Sequence, residues 1–105
     1  MSEWYILENG EPKPVDDMMT WAVWLENNLA SRHVADDVID GVRVSTVFLG
    51  MDHSHGLGQP LIFETMVFGG PLDGEQDRYT TTDQATEGHN AMCVRVRSAG
   101  VARSS

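Results

Sequence analysis

The dipeptide Asp40-Gly41, which lies between two strand-like segments in DVIDGVRVSTVF, constrains the fold more than any other feature of the chain. Aspartate and glycine both tolerate the positive φ angles of a two-residue turn whose twist matches that of paired antiparallel strands. Counting outward from this turn predicts four cross-strand pairs: Ile39 with Val42, Asp37 with Val44, Ala35 with Thr46, and His33 with Phe48. A second dipeptide of this kind, Asn9-Gly10, predicts a shorter hairpin near the N-terminus.

Helix signals lie between and after the strands. Asp16 or Asp17 can cap the segment VDDMMTWAVWLENNLA, and Thr81 with Gln84 forms a capping box before the last apolar stripe. That stripe has helical spacing: Ala85, Gly88, His89, Met92 and Val96. Gly88 lowers helix propensity, so we expect it to permit a close approach of the helix to the sheet.

These signals predict the order ββ-α-βββ-α, an α+β fold in which one antiparallel sheet carries two helices in a single layer on one face. The chain of 105 residues has the length of one domain. We assign residues 1–98 to this domain and expect residues 99–105 to form a frayed C-terminal tail. The segment GGPLDGEQD is interpreted as a turn-rich connector.

The third strand of the main sheet, in PLIFETMVFGG, is expected to pair with strand 42–50 across a histidine-containing loop. The predicted register is Leu49 opposite Leu61, Phe48 opposite Ile62, Thr46 opposite Glu64, and Val44 opposite Met66. It would gather six apolar side chains on the face without helices: Val34, Val47, Leu49, Leu61, Phe63 and Val67. A second copy of the chain is the simplest cover for such a face, so we expect a homodimer. Alternatively, the N-terminal hairpin could fold across this apolar face and bury it.

Charge and composition narrow the classes of partner. The net charge of −9 argues against nucleic-acid binding, which needs clustered lysine and arginine. It permits binding to a basic protein surface, although an acidic surface also simply aids solubility. No apolar run is long enough for a membrane span, and the N-terminus lacks the pattern of a signal peptide. The single cysteine, Cys93, suits a reducing compartment, so we expect a cytoplasmic protein.

The loop MDHSHG contains the first candidate for chemistry. Asp52, His53 and His55 are residue types that bind metals, and His89 or Glu64 could supply a further ligand. His33 could approach the same rim. Histidines two positions apart on an extended loop project to opposite sides, so we favour a polar turn in which the aspartate is a cap.

Glu64 and His89 form the second candidate. The predicted register places Glu64 on the apolar face beneath the last helix, where a carboxylate needs polar partners or acquires a raised pKa. With His89 it could act as a general acid–base pair. The alternative, which we favour, is a buried polar contact that fixes the helix on the sheet. Trp24 falls outside the apolar stripe of its helix and is expected to be a contact residue.

Four segments resemble a group of small uncharacterised proteins of bacteriophages and prophages. They are WAVWLE, VSTVFLGMDH, LIFETMVFGG and RYTTTDQATEGH, and the resemblance extends from about Tyr5 to Met92. The group has no established reaction, so the resemblance implies an origin and no activity. The chain departs from the pattern at Thr82, where the resemblance implies an aromatic residue after the capping threonine.

Two functions follow as expectations. The first is a non-enzymatic phage accessory protein in the host bacterial cytoplasm, which takes over a host function or blocks a defence by binding a protein. Its predicted contact residues are Trp24, Val47, Leu49 and Phe63, and it needs no cofactor. The alternative is a small metal-dependent or acid–base enzyme that uses the loop Asp52–His55 with Glu64 and His89. We favour the non-enzymatic protein.

Overall fold

A computed structural model of the chain describes residues 3–104, with side chains described for residues 3–100. The elements follow in the order β1 Trp4–Glu8, β2 Glu11–Val15, α1 Met18–Asn27, β3 His33–Ile39, β4 Val42–Phe48, β5 Phe63–Phe68, β6 Gln76–Tyr79 and α2 Thr82–Ser104. A 3₁₀ turn, Ala30–Arg32, leads into β3. The predicted α+β class and the approximate order of elements are therefore confirmed.

The strands form two antiparallel sheets. The larger sheet has the order β3-β4-β5-β6, and β1 pairs with β2 in a separate hairpin. Several contacts join this hairpin to the main unit: the backbone N–H of Tyr5 donates to the carbonyl of Gly50, Trp4 forms an isolated bridge with Met51, and the hydroxyl of Thr82 donates to the carbonyl of Gly10. Side chains of β1, Tyr5 and Leu7, also pack against the buried core. The sequence prediction missed β6, because Gln76–Tyr79 is short and follows a glycine-rich turn that we had interpreted as part of a connector.

Both predicted turns have the expected backbone. Asn9 and Gly10 have φ angles of 54° and 81°, and Asp40 and Gly41 have 50° and 82°. The pairing that follows from Asp40-Gly41 is confirmed as far as Ala35 opposite Thr46. Beyond it a bulge shifts the register, so His33 pairs with Val47 and not with Phe48 as predicted.

The predicted register of β5 is wrong by one residue. Phe48 pairs with Phe63, Thr46 with Thr65, and Val44 with Val67. A shift of one residue moves every side chain of a strand to the opposite face, so β5 is inverted relative to our prediction. The observed register places Phe63, Thr65 and Val67 under α2 and turns Glu64 away from it, which avoids the cost of burying a carboxylate.

Helix α2 covers the sheet along one face and forms the core with it. One buried cluster contains Val44, Val67, Met92, Cys93 and Val96, and a second contains Phe48, Ile62, Phe63 and Ala85. The predicted helical stripe is confirmed, with Cys93 added to it. Each fully buried aliphatic or aromatic side chain of this kind contributes about 1.5–3 kcal/mol.

Both predicted helix starts are confirmed. The carboxylate of Asp17 accepts hydrogen bonds from the backbone N–H groups of Met19 and Thr20. Thr81 Oγ1 accepts from the backbone N–H of Gln84, and the side chain of Gln84 accepts from the N–H of Thr81, which is the reciprocal capping box.

Helix α2 extends through Ser104 and so includes most of the segment 99–105 that we expected to fray. Residue 105 and the side chains of 101–104 lie outside the described part of the chain. Among the described helices, none combines the length and the apolar composition that crossing a bilayer requires.

Candidate functional site

A chain of hydrogen bonds runs across the main sheet beneath α2, with one side chain from each of the four strands and one from the helix. His89 on α2 lies at its centre: Nε2 is 2.7 Å from Oδ2 of Asp37 on β3, and Nδ1 is 2.7 Å from Oγ1 of Thr46 on β4. Thr46 Oγ1 is 2.5 Å from Oγ1 of Thr65 on β5. The hydroxyl of Tyr79 on β6 donates to Thr65 Oγ1 over 3.1 Å. We call these five side chains the polar chain.

The strand register brings the polar chain together. Thr46 and Thr65 are direct cross-strand partners, so their side chains leave the same face of the sheet at the closest separation. Tyr79 enters from β6 beneath Gly88, where a Cβ atom would collide with the tyrosine ring. The close approach predicted for Gly88 is therefore confirmed.

Every side chain of the polar chain has a hydrogen-bond partner when the imidazole of His89 carries a single proton. The tyrosine donates to Thr65, Thr65 donates to Thr46, and Thr46 donates to Nδ1 of His89. The remaining proton of the imidazole, on Nε2, then points at the carboxylate of Asp37. At most 1% of each of three members is exposed: Thr46, Thr65 and His89. Burying these polar groups would be costly without the hydrogen bonds that they make to one another and to Asp37.

Burial changes the acidity of two groups around the polar chain. Burial raises the pKa of the Cys93 thiol, and the nearby carboxylate of Asp37 raises it further, while Arg97 opposes the rise. Burial also raises the pKa of Tyr79, an effect that its hydrogen bond to Thr65 partly offsets and the nearby charge of Asp77 reinforces. Both groups therefore keep their protons at neutral pH.

The order carboxylate–imidazole–hydroxyl in Asp37, His89 and Thr46 has the connectivity of a nucleophilic triad. Its exposure is the reverse of what acyl transfer requires. Thr46 is 0% exposed and inaccessible to a substrate carbonyl, whereas the Asp37 side chain is 59% exposed. In this geometry the polar chain holds α2 on the sheet through hydrogen bonds, which supports the structural interpretation of His89.

One group of potential metal ligands converges at the solvent end of the polar chain. Donor atoms of Asp37, His89 and Cys93 all lie within 4.8 Å of one another. Among the side chains that the structure describes, these three form the group of potential metal ligands that lie this close together. Sequence reasoning missed it, although His89 and Cys93 are four residues apart on one helical face. The missing information was the position of Asp37 relative to α2, which depends on how the helix crosses the sheet.

The residues of the histidine loop do not converge in this way. Asp52 Oδ1 accepts hydrogen bonds from the backbone N–H groups of Ser54 and Leu61, which makes it the cap of a turn. His55 is exposed in the left-handed region, with φ of 56°. Burial opposes a low pKa for Asp52, but hydrogen bonds from Ser54 and Leu61 outweigh it and lower the pKa. The geometry is that of the polar turn.

Glu64 and His89 lie on opposite faces of the sheet. Glu64 Oε2 accepts a hydrogen bond from Nε of Arg78 over 3.0 Å, in an ion pair on the face away from α2. The predicted acid–base pair is therefore wrong, because it depended on the shifted register of β5. The buried partners of His89 are Thr46 and Asp37 instead.

The predicted contact residues are divided between core and surface. Phe63 is fully buried against Phe48, with ring centroids 5.3 Å apart, so its assignment to an exposed binding face is wrong. Val47 and Leu49 are half-buried. Val67, also expected on that face, is fully buried too.

Trp24 lies at a second place where function could reside. Its ring packs edge-on against Phe48, with centroids 5.8 Å apart, and it lines a concavity of about 480 Å³ along α1. The concavity is lined by Asp17, Met19, Thr20, Val23, Trp24, Asn27 and Asn28, and we call this set the α1 surface. Helix α1 has no buried residue, and Met19 is 69% exposed.

Comparison of the chain with known protein families, with curated proteins and with solved structures finds no match.

Proposed function

We propose that the protein acts by binding another protein through the α1 surface. The observation that carries this proposal is the exposure of apolar side chains on a helix that buries none of its residues. Met19 is 69% exposed and Val23 is 50% exposed, and both lie beside the half-buried Trp24. Clustered exposed apolar groups are unusual on a monomer unless they contact something.

The residue types fit a protein ligand. Methionine side chains are flexible and polarisable, so they adapt to a partner's apolar side chains. Tryptophan is enriched among residues that contribute most to protein interfaces. Trp24 is also held by its edge-on contact with Phe48, so less side-chain entropy is lost when a partner covers it.

Charge defines the partner more closely. The α1 surface includes the exposed Asp17, and its sequence neighbours Asp16 and Glu26 are also exposed, in a chain of net charge −9. The complementary ligand is an amphipathic segment of a protein, with apolar side chains for the concavity and lysine or arginine around them. Such charges accelerate association and make binding weaker at high salt.

The proposed setting is the cytoplasm of a bacterial host, where the protein would take over a host function or block a defence. The resemblance of the sequence to proteins of phages and prophages supports this setting. The polar chain supports a non-enzymatic role, because the hydroxyl groups of Thr46 and Thr65 and the imidazole of His89 are buried between helix and sheet.

The test compares the unmodified protein with the double variant Met19→Glu plus Val23→Glu. Each is used to capture proteins from a bacterial host lysate, and the partner is then purified for affinity measurements at several salt concentrations. A photo-crosslinking residue at position 23 identifies the contacted segment. We expect an apolar segment flanked by basic residues, with binding lost in the double variant and weakened by salt.

The matched control is Leu57→Glu plus Val94→Glu. It adds the same charge at apolar side chains that are 83% and 58% exposed outside the α1 surface. This control should bind as the unmodified protein does. Equal binding by both double variants, or crosslinks that appear only from positions outside the α1 surface, would contradict the proposal.

A further inference from the structure

Three donors of different chemical type meet where α2 crosses β3. The carboxylate oxygen Oδ2 of Asp37 lies 2.7 Å from Nε2 of His89 and 3.9 Å from Sγ of Cys93. All three atoms lie within 4.8 Å of one another. His89 and Cys93 are one helical turn apart on the buried face of α2, so a rigid element holds two of the three donors.

The donor types select among metals. Thiolate and imidazole ligands together favour Zn²⁺ over Mg²⁺ or Ca²⁺, which prefer oxygen. Three protein ligands leave one position of a tetrahedral site for water or another ligand. The side chain of Asp37 is 59% exposed, so the site has an entry path from solvent on the side of this ligand.

The separations are close to those of a zinc site. Bond lengths of about 2.0–2.3 Å to zinc place tetrahedral donors about 3.3–3.7 Å apart. Oδ2 and Sγ, at 3.9 Å, nearly satisfy this, while Oδ2 and Nε2, at 2.7 Å, are too close to hold a metal between them. To bind a metal, the carboxylate of Asp37 would have to move away from Nε2 of His89. The Asp37 side chain can rotate because it is exposed.

The polar chain supplies the second requirement of a metal site. A histidine that binds metal through Nε2 needs an acceptor for the proton on Nδ1, which fixes the ring and its tautomer. Thr46 Oγ1 lies 2.7 Å from Nδ1 and can accept that proton if its own hydroxyl turns to Thr65, and that of Thr65 to Tyr79. Both threonine hydroxyls donate and accept one hydrogen bond in either direction of the chain, whereas Tyr79 changes from donor to acceptor.

We propose that Asp37, His89 and Cys93 bind Zn²⁺, with Thr46 as the hydrogen-bond partner that orients His89. The metal replaces the hydrogen bond between His89 and Asp37 and joins α2 to β3 through the same two side chains. Zinc is bound by the deprotonated sulfur, so the Cys93 proton is released to solvent when the metal binds.

The charged groups that face Cys93 are Asp37 on β3 and Arg97 on α2. Because zinc binding displaces the proton of the Cys93 thiol, zinc affinity should increase with pH.

The test uses Co²⁺ and Zn²⁺ with the full chain purified without a histidine tag. Co²⁺ should give the thiolate-to-cobalt charge-transfer band and the intense visible bands of four-coordinate cobalt, and Zn²⁺ should remove both. Cys93→Ser should lose the charge-transfer band. Asp37→Asn changes an exposed side chain, so it keeps the test interpretable if changes at buried positions prevent folding.

Thr46→Val tests the orienting role. It has nearly the same shape but lacks the hydroxyl, and it should weaken metal affinity by about 10- to 100-fold, as loss of a ligand's hydrogen-bond partner typically does. Asp37→Asn should weaken affinity by more than that. Asp36→Asn is the matched control, since this neighbour lies on the other face and is paired with Arg43.

A second control is the loop variant His53→Ala plus His55→Ala, which should retain both the spectrum and the affinity. The absence of cobalt bands in the unmodified protein would overturn the proposal. A charge-transfer band that persists in Cys93→Ser, or an affinity that the loop variant alone abolishes, would also overturn it.

Discussion

The imidazole of His89 lies 2.7 Å from the carboxylate of Asp37, although only 2% of the histidine side chain is exposed and 59% of the aspartate side chain is. The contact joins the centre of α2 to β3, an edge strand of the main sheet. Through Thr46 the same imidazole reaches the two central strands. His89 therefore connects the helix to both the edge and the centre of the sheet.

His89→Ala should lower the free energy of unfolding by about 2–4 kcal/mol, because it leaves a cavity and strands the hydroxyl of Thr46. Asp37→Ala should cost less, about 0.5–1.5 kcal/mol, since water can replace this exposed partner. Urea denaturation at neutral pH, with metal removed by a chelator, measures both. A cost for Asp37→Ala that exceeds that of His89→Ala would contradict the assigned roles.

Glu64 should behave as a member of a partly buried ion pair. Both Glu64→Ala and Arg78→Ala should cost about 1–3 kcal/mol, because the side chains are only 15% and 34% exposed and water therefore screens the pair only in part. Denaturation of the two single variants and the double variant isolates the pair energy. A pair energy near zero would contradict this partial burial, because it would mean that solvent screens the two charges fully.

Local signals in the sequence predicted the local parts of this fold. The turns at Asn9-Gly10 and Asp40-Gly41 require backbone conformations that few residue pairs adopt easily, and the caps at Asp17 and Thr81 depend on side chains within one helical turn. The pairing of β3 with β4 follows from the turn between them. It fails only at the bulge before Ala35, which has no local signal.

The register of β5 could not be obtained in this way, because a long loop separates it from β4. LIFETMVF alternates apolar residues on both faces, so two registers look similar until Glu64 is considered. The cost of a buried carboxylate favours the observed register, and that argument was available from the sequence. The convergence of Asp37 with His89 and Cys93 was not, because it depends on tertiary packing.

The histidines of the loop should be dispensable for folding. His53→Ala plus His55→Ala should change the melting temperature little, since neither side chain is fully buried and Asp52 holds the turn. Asp52→Ala should cost about 1–3 kcal/mol, because it leaves the backbone N–H groups of Ser54 and Leu61 without their acceptor. Thermal melting of both variants beside the unmodified protein checks this.

The contribution of Asp52 should depend on pH. Its pKa is lower in the folded chain than the value of about 3.9 usual for the unfolded one. The stabilisation is therefore complete above that unfolded value and is lost as the pH falls through the folded pKa. The difference between the unmodified protein and Asp52→Ala should shrink in acid, and a constant difference from pH 7 downward would exclude this linkage.

Gly88→Ala should destabilise the protein by about 1–3 kcal/mol despite the better helix propensity of alanine. A Cβ atom at this position collides with the ring of Tyr79, so α2 must move away from β6. Gly100→Ala is the matched control on the same helix, where a Cβ atom meets nothing within 4 Å, and it should be neutral or stabilising. Equal effects of the two substitutions in chemical denaturation would refute the close-packing explanation.

The sheet face away from α2 differs in composition from our prediction, yet it still carries apolar groups. Val38 is 70% exposed and Phe68 is 46% exposed, on either side of Arg43, and the same face carries the half-buried Val47 and Met66. This face also carries two ion pairs, Asp36 with Arg43 and Glu64 with Arg78. The charges cancel within each pair, so the four charged side chains add no net charge to this face. A second copy can therefore approach without the repulsion that the total charge of −9 suggests, and we propose that this face forms a two-fold homodimer.

Val38→Lys plus Phe68→Lys should convert the dimer to a folded monomer, because it places cations on the apolar part of the face. Lysine makes the net charge less negative, so dissociation cannot be attributed to greater overall repulsion. The control Leu57→Lys plus Val94→Lys makes the same charge change elsewhere and should remain dimeric. Light scattering at high micromolar concentration measures the mass of all three proteins. A monomeric unmodified protein under these conditions, or dissociation of the control, would rule out this interface.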